Sequence, residues 1–211
     1  MSKYLSRLLE RTQELSSQCR QVSYDEKGMY IYHPLDYAWR LHANYLERFV
    51  GQHSQTFMLG MNPGPFGMAQ TGVPFGEVSV VKEYLQIDEP LGTLPEMHPK
   101  RIITGLDCQR SEVSGRRLWA LVKEHYPISS QLYGELAIMN YCPVVFVDKG
   151  ATGKNITPDK IEIHSRKELE RICDSYLDDM ISLIAPKNVV GIGKYAQKKL
   201  QQSLARLDID I

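Results

Sequence analysis

Thr56-Phe57-Met58-Leu59-Gly60, followed without a break by Met61-Asn62-Pro63-Gly64-Pro65-Phe66-Gly67-Met68-Ala69-Gln70-Thr71-Gly72-Val73-Pro74-Phe75-Gly76, is the stretch that decides the fold. A short apolar run bounded by turn residues reads as a strand buried on both faces, the habit of parallel sheets. The residues after it are too dense in glycine and proline to form a regular element. A connection this long in a compact domain points to function carried by the loop.

Two more runs repeat the pattern. Leu136-Ala137-Ile138-Met139 reads as a second strand ending at Asn140, and Val189-Val190-Gly191-Ile192 as a third. Helical spacing of Leu5, Leu8, Leu9, Leu15 and Val22 predicts an amphipathic helix over 3–20. Leu35 to Val50 reads as one helix with Pro34 near its start. Ser114 is expected to cap a helix through His125, Thr157-Pro158 to open a helical turn, 165–184 to form a long helix, and Gly193 to open a last one to about Arg206. Residues 87–113 read as irregular, with Pro90, Pro95 and Pro99 as breakers. Leu207-Asp208-Ile209-Asp210-Ile211 alternates like the start of a fourth strand. Strands alternating with helices predict an α/β fold, three layers with a mainly parallel central sheet, in a single domain over 1–211. Ligands of such sheets bind beyond the carboxyl ends of the strands. Asn62-Pro63 and Asn140-Tyr141-Cys142-Pro143 are both expected on that rim.

Composition bounds the function. Of 211 residues, 43% are hydrophobic, enough for a substantial core. No run of roughly 18 apolar residues is present, and the charged N-terminal segment does not read as a secretory leader; no membrane association is expected. Cys19, Cys108, Cys142 and Cys173 are scattered without a C-x-x-C pair, and no histidines show ligand spacing, so neither a disulfide framework nor a metal site is expected. Basic and acidic residues balance at 25 each, so net charge gives no support for nucleic-acid binding. Lys187, Lys194, Lys198, Lys199 and Arg206 form an acid-free run, which reads equally as a solvated helix face or part of a basic groove.

The segment Gly60–Gly76 resembles the single-strand-selective monofunctional uracil-DNA glycosylases, members of the uracil-DNA glycosylase superfamily. Ser111-Glu112-Val113-Ser114-Gly115, Asn140-Tyr141-Cys142-Pro143, Asn155-Ile156-Thr157-Pro158 and Val189-Val190-Gly191-Ile192-Gly193 fit the same family in the same order. The resemblance spans about residues 28–207. It implies a DNA-repair enzyme that flips uracil or 5-hydroxymethyluracil out of single- or double-stranded DNA and hydrolyses the base–sugar bond. It also implies a nuclear monomer that needs no cofactor. The family's C-terminal His-Pro-Ser-Pro does not occur; His33-Pro34 and His98-Pro99 lie too early and lack the Ser-Pro. The chain is therefore expected to stop before the family's last strand and helix.

The resemblance assigns Asn62 the water-holding role. An amide has no basic lone pair at neutral pH. It can only orient a water toward an oxocarbenium-like sugar, so positioning and electrostatics must supply the rate. Asn140 is the expected base reader: a carboxamide accepts from uracil N3–H and donates to O4, and cytosine mismatches both. Phe75 is expected to stack on the base, and Met61 and Met68 to line the pocket. Gly64 is expected beside C5, where a residue without a side chain leaves room for a substituent. Ser111, Ser114 and Gly115, at a helix start, are expected to meet a DNA phosphate, as are Lys154 and Asn155 in the loop after the second strand. Taken singly, each has a plainer reading: a turn asparagine, a core phenylalanine, a helix cap. Two other functions stay open: a family member that binds lesions without efficient catalysis, and a generic nucleotide-binding α/β protein. No Walker or dinucleotide fingerprint supports the last.

Overall fold

The parallel strands form where the apolar runs place them. The computed structural model describes residues 2–211. Its elements in chain order are α1 (Lys3–Gln21), β1 (Met29–Tyr32), α2 (Pro34–Tyr37), α3 (Trp39–Phe49), β2 (Thr56–Gly60), α4 (Met68–Thr71), α5 (Val113–His125), β3 (Leu136–Asn140), β4 (Val145–Asp148), β5 (Asn155–Ile156), α6 (Ile163–Ile184), β6 (Asn188–Gly191) and α7 (Lys194–Leu207).

The central sheet has the order β3-β2-β6, all parallel. All of β3 is buried, with Phe57 and Leu59 of β2. Phe57, Leu59 and Met139 meet Tyr176, Leu177 and Met180 of α6 on one face. Each such fully buried side chain contributes about 1.5–3 kcal/mol. The free edge of β3 is covered by Tyr45 of α3, whose hydroxyl donates to the Ile138 carbonyl at 2.9 Å and accepts from its N–H at 3.2 Å. An unpaired edge would otherwise invite another strand. A second sheet, antiparallel in the order β1-β4-β5, was not expected from the sequence. Its strands have only four, four and two residues.

Helix α1 is capped by the Ser2 hydroxyl, which accepts from Leu5 N–H at 3.1 Å. Leu8, Thr12, Leu15 and Cys19 form its buried stripe at helical spacing. Cys19 ends in a pocket of thiols with Cys142, just past β3, and Cys173 of α6. All three are fully buried, and burial first, then the neighbouring thiols, pushes the Cys173 thiol up.

Three expectations are corrected and one open reading is narrowed. The helix read over Leu35–Val50 is two helices. Ala38 breaks it (φ −107°, ψ 24°), because the Tyr37 carbonyl accepts from Gly92 N–H at 2.6 Å and Gly72 packs on Ala38. Helix α5 starts at Val113 with Glu112, not Ser114, at its cap position. Residues 208–211 are not a strand: Asp208 turns left-handed (φ 55°) and Ile209 N–H bonds back to the Leu204 carbonyl at 3.1 Å, closing α7. The basic run over 187–206 is not simply a solvated face. Lys199 is buried against Asp174 (3.2 Å) and Glu170 (3.5 Å), and Arg206 pairs with Asp178 (2.7 Å), so two of its five cations are engaged by α6.

Candidate active site

Parallel pairing fixes the rim. Gly60 lies opposite Asn140, so the loops after β2 and β3 leave the sheet side by side. They stay together for two more residues, as Tyr141 N–H reaches the Gly60 carbonyl and Cys142 N–H the Met61 carbonyl, both at 2.9 Å. Asn62 and Asn140 therefore open on one rim. Beneath them, the Tyr141 hydroxyl donates to Asp174 at 2.7 Å and to the Glu170 carbonyl at 3.1 Å, tying the second loop to α6.

Asn140 is 8% exposed. Its amino group faces the Met68 sulfur at 3.2 Å, while its amide oxygen is buried without a partner. A buried acceptor left unmet costs about 1–3 kcal/mol, so a ligand N–H placed there gains that amount back. The half-buried Phe75 ring covers the same spot: a β-carbon on Gly60 would collide with both the ring and the Asn140 amide oxygen. Gly60, not singled out from the sequence, is what lets the aromatic ring and the carboxamide converge.

The loop after β2, read from the sequence as without any regular element, is not wholly irregular. It contains α4, a single turn that tertiary bonds hold in place. The fully buried Gln70 side chain makes four bonds. Its amino group donates to the carbonyls of Pro65 and Ile102, both at 3.0 Å. Its oxygen accepts from the N–H groups of Thr104 (2.8 Å) and Gly105 (3.2 Å). Tyr37 OH donates to the Ala69 carbonyl at 2.6 Å. His42 Nδ1–H donates to the carbonyl of Gly72, the left-handed residue that ends α4, at 2.7 Å. Burial lowers the His42 pKa to about 4, so the ring is neutral at pH 7. None of these clamps stood out in the sequence, because a buried glutamine or histidine is recognisable only once its partners are placed.

Asn62 is half-buried, with its amino group 3.3 Å from the Pro63 carbonyl. Asn155 of β5 aims its own amino group at that carbonyl, at 3.5 Å, and its amide oxygen is buried without a partner. Asn155, expected at the DNA surface, is thus brought beside Asn62. Met61 is half-buried and Met68 buried.

The space beside Gly64 is not empty, which corrects the expectation of open room there. The Glu112 carboxylate packs against Gly64 and Gly67, where a β-carbon would collide with it, and accepts from Phe66 N–H at 3.2 Å. Gly115 is buried, with the Phe75 carbonyl packed where a β-carbon would stand. That close approach supports Phe75 in left-handed backbone (φ 55°), a conformation costing about 1–3 kcal/mol in a residue with a side chain. Ser111 and Ser114 are exposed, and Ser114 OH donates to Glu112 at 3.2 Å. Lys154 is exposed, its N–H bonded to Asp148 at 2.9 Å. Two arginines missed in the sequence lie over the Phe66 ring, Arg110 at 3.9 Å and Arg101 at 5.2 Å from its centroid.

Residues 48–209 match the family model of the Uracil DNA glycosylase superfamily. A protein of Mus musculus described as single-strand selective monofunctional uracil DNA glycosylase is 39% identical over 203 residues, 96% of this chain and 72% of the mouse protein. Its namesake in Bos taurus is 39% identical over 94% of this chain and 72% of its own length. The crystal structure of wild-type Pedobacter heparinus SMUG2 superposes with a TM-score of 0.60 at 19% identity, covering 94% of this chain and 82% of that one, a likeness of fold.

Proposed function

The chain belongs to the uracil DNA glycosylase superfamily, and from that membership and the rim geometry we propose that it excises uracil from DNA by hydrolysis, as a monofunctional glycosylase opening base excision repair. The observation that carries the reading is the buried, unpartnered amide oxygen of Asn140 at the strand end, under the Phe75 ring and on the same rim as Asn62. Uracil N3–H supplies the missing donor. The Asn140 amino group, now on the Met68 sulfur, turns to O4. Cytosine offers an unprotonated N3 to the amide oxygen, leaving it unmet. Phe75 stacks on the extruded ring, offsetting part of the few kcal/mol that unstacking costs.

Asn62 supplies position rather than basicity. Its amino group is engaged at Pro63, so its oxygen is the end that holds a water toward the anomeric carbon. No lysine occurs in 60–76 or 140–148, in keeping with water rather than an amine as nucleophile. Uracil presented in single-stranded DNA avoids the unpairing cost, and duplex DNA is included at that added cost. The reading extends to 5-hydroxymethyluracil. Atom C5 adjoins C4, so it faces the Met68 side of the pocket and the Gly64–Gly67 turn. The group packed in that turn is the Glu112 carboxylate, an acceptor for a hydroxyl. Arg101, Arg110 and the exposed Ser111, Ser114 and Lys154 border the same loops and supply the phosphate-facing surface.

The test is a labelled oligonucleotide with one uracil, incubated with excess protein and cleaved by hot alkali. Strand scission at the uracil is expected, with none at cytosine in the same position and a second positive with 5-hydroxymethyluracil. An intact uracil strand overturns the glycosylase reading, and retained binding without base release would make the protein a lesion binder.

A further inference from the structure

We infer that Asn155 is a second water-holding group for base excision, acting with Asn62 on one nucleophilic water; the inference rests on the glycosylase reading and deepens it. Two carboxamides from separate parts of the chain converge on one acceptor, the Pro63 carbonyl: Asn62 at 3.3 Å and Asn155 at 3.5 Å. A carbonyl accepts only, so both side chains must present it their amino groups. Each is then left with its oxygen as the free end, and that of Asn155 is buried with no partner. A buried acceptor is tolerated when something occupies it in the working state.

The backbone holds Asn155 in place independently of DNA. Its strand pairs with β4, Asn155 opposite Val147 and Ile156 opposite Phe146, and the Asp148 N–H bonds to the Lys154 carbonyl at 2.9 Å. The antiparallel sheet thus delivers one amide to a site whose other amide comes from the parallel sheet. A water seated there donates its two hydrogens to the two amide oxygens, which leaves a lone pair for the sugar. As the C1′–N1 bond breaks, its electron pair leaves with the base; the water oxygen forms the C1′–O bond, and its surplus proton passes to bulk water. Holding both hydrogens fixes the direction of attack, which one amide alone leaves free to rotate.

Single-turnover excision from a uracil oligonucleotide and affinity for a non-hydrolysable 2′-fluoro-uracil oligonucleotide are measured for wild type, Asn155→Ala, Asn155→Ser, Asn62→Ala and the double Asn62→Ala/Asn155→Ala. For Asn155→Ala the rate should fall about ten- to hundredfold with affinity within about twofold and an unchanged salt dependence of binding. The serine variant, which keeps an acceptor, should recover part of the rate. The double variant should be little slower than Asn62→Ala, because both act on one water. Melting temperatures separate these effects from misfolding, and if the alanine variant does not fold, the serine variant carries the comparison. Weakened binding with an unchanged rate, or losses that multiply, overturns the inference and makes Asn155 a DNA contact or an independent group. Wild-type protein that releases no uracil overturns the parent reading instead.

Discussion

The two asparagine loops share one rim, yet they are held by different means. Asn140 ends a fully buried strand, its position set by ladder pairing with β2 and by Tyr141 anchored on α6. Asn62 lies past the ladder, in a loop whose course is set by polar side chains: Gln70 of the loop itself, and Tyr37, His42 and Glu112 reaching in from elsewhere. On the proposed reading, the group that would test the base is positioned by secondary structure, whereas the group that would hold the water is positioned by polar clamps. A ladder resists any single substitution; a clamp fails one residue at a time. The rate should therefore be more vulnerable to remote mutation than the choice of base.

That contrast can be broken or sharpened by experiment. The largest effect belongs to Asn62→Ala, which should slow single-turnover excision by about 10²–10³ while leaving affinity for uracil DNA nearly intact; an unchanged rate would remove Asn62 from the chemistry. Gln70→Ala should destabilise the protein by about 3 kcal/mol in urea unfolding, since it removes the four hydrogen bonds of a fully buried side chain. It should also slow excision while preserving the preference for uracil over cytosine. Loss of that preference would show that both amides depend on the loop.

His42 gives a pH signature. Its native pKa of about 4 lies below the unfolded value near 6.5, so the unfolded chain binds the extra proton across that window. Stability conferred by the neutral ring is complete above about pH 6.5 and declines as pH falls toward 4, amounting to a loss of about 2 kcal/mol by pH 5. His42→Gln should flatten this part of the stability curve, measured by urea unfolding at pH 7 and pH 5. An equally steep curve in the variant would assign the loss to other groups. The smallest effect on stability is expected of Asn140→Ala, which should reduce the uracil-over-cytosine preference by about a hundredfold, roughly tenfold for each of its two hydrogen bonds to the base, with no shift in the melting temperature comparable to that of Gln70→Ala.

The sequence disclosed the parallel strands because each is written as an unbroken apolar run, although only β3 is buried along its whole length and Val190 of β6 is exposed; Asn62 and Asn140 stood out because each follows such a run. It did not disclose the antiparallel sheet. Met29–Tyr32 and Val145–Asp148 are too short for their period to stand out, and two-residue β5 exists only through its partner. Helix α4 stayed hidden among glycines and prolines because its stability comes from bonds made by residues up to about thirty positions away. Asn155 was placed at the DNA surface from its loop setting, and its approach to Pro63 follows only from the sheet that carries it. Glu112 stood inside the Ser111–Gly115 segment, but its carboxylate serves the neighbouring loop rather than the helix it begins.

The thiol pocket has a consequence for how the fold comes apart. Cys19, Cys142 and Cys173 sit on α1, on the segment after β3 and on α6, all fully buried, whereas Cys108 is partly accessible. A thiol-reactive dye should therefore modify one cysteine at once and the other three only through openings that separate α1 from the body. The chain carries its own clock for the detachment of its first helix, readable by mass spectrometry of the dye-modified cysteines. If Cys19 reacts faster than global unfolding allows, that helix peels away while the sheet and its rim stay intact.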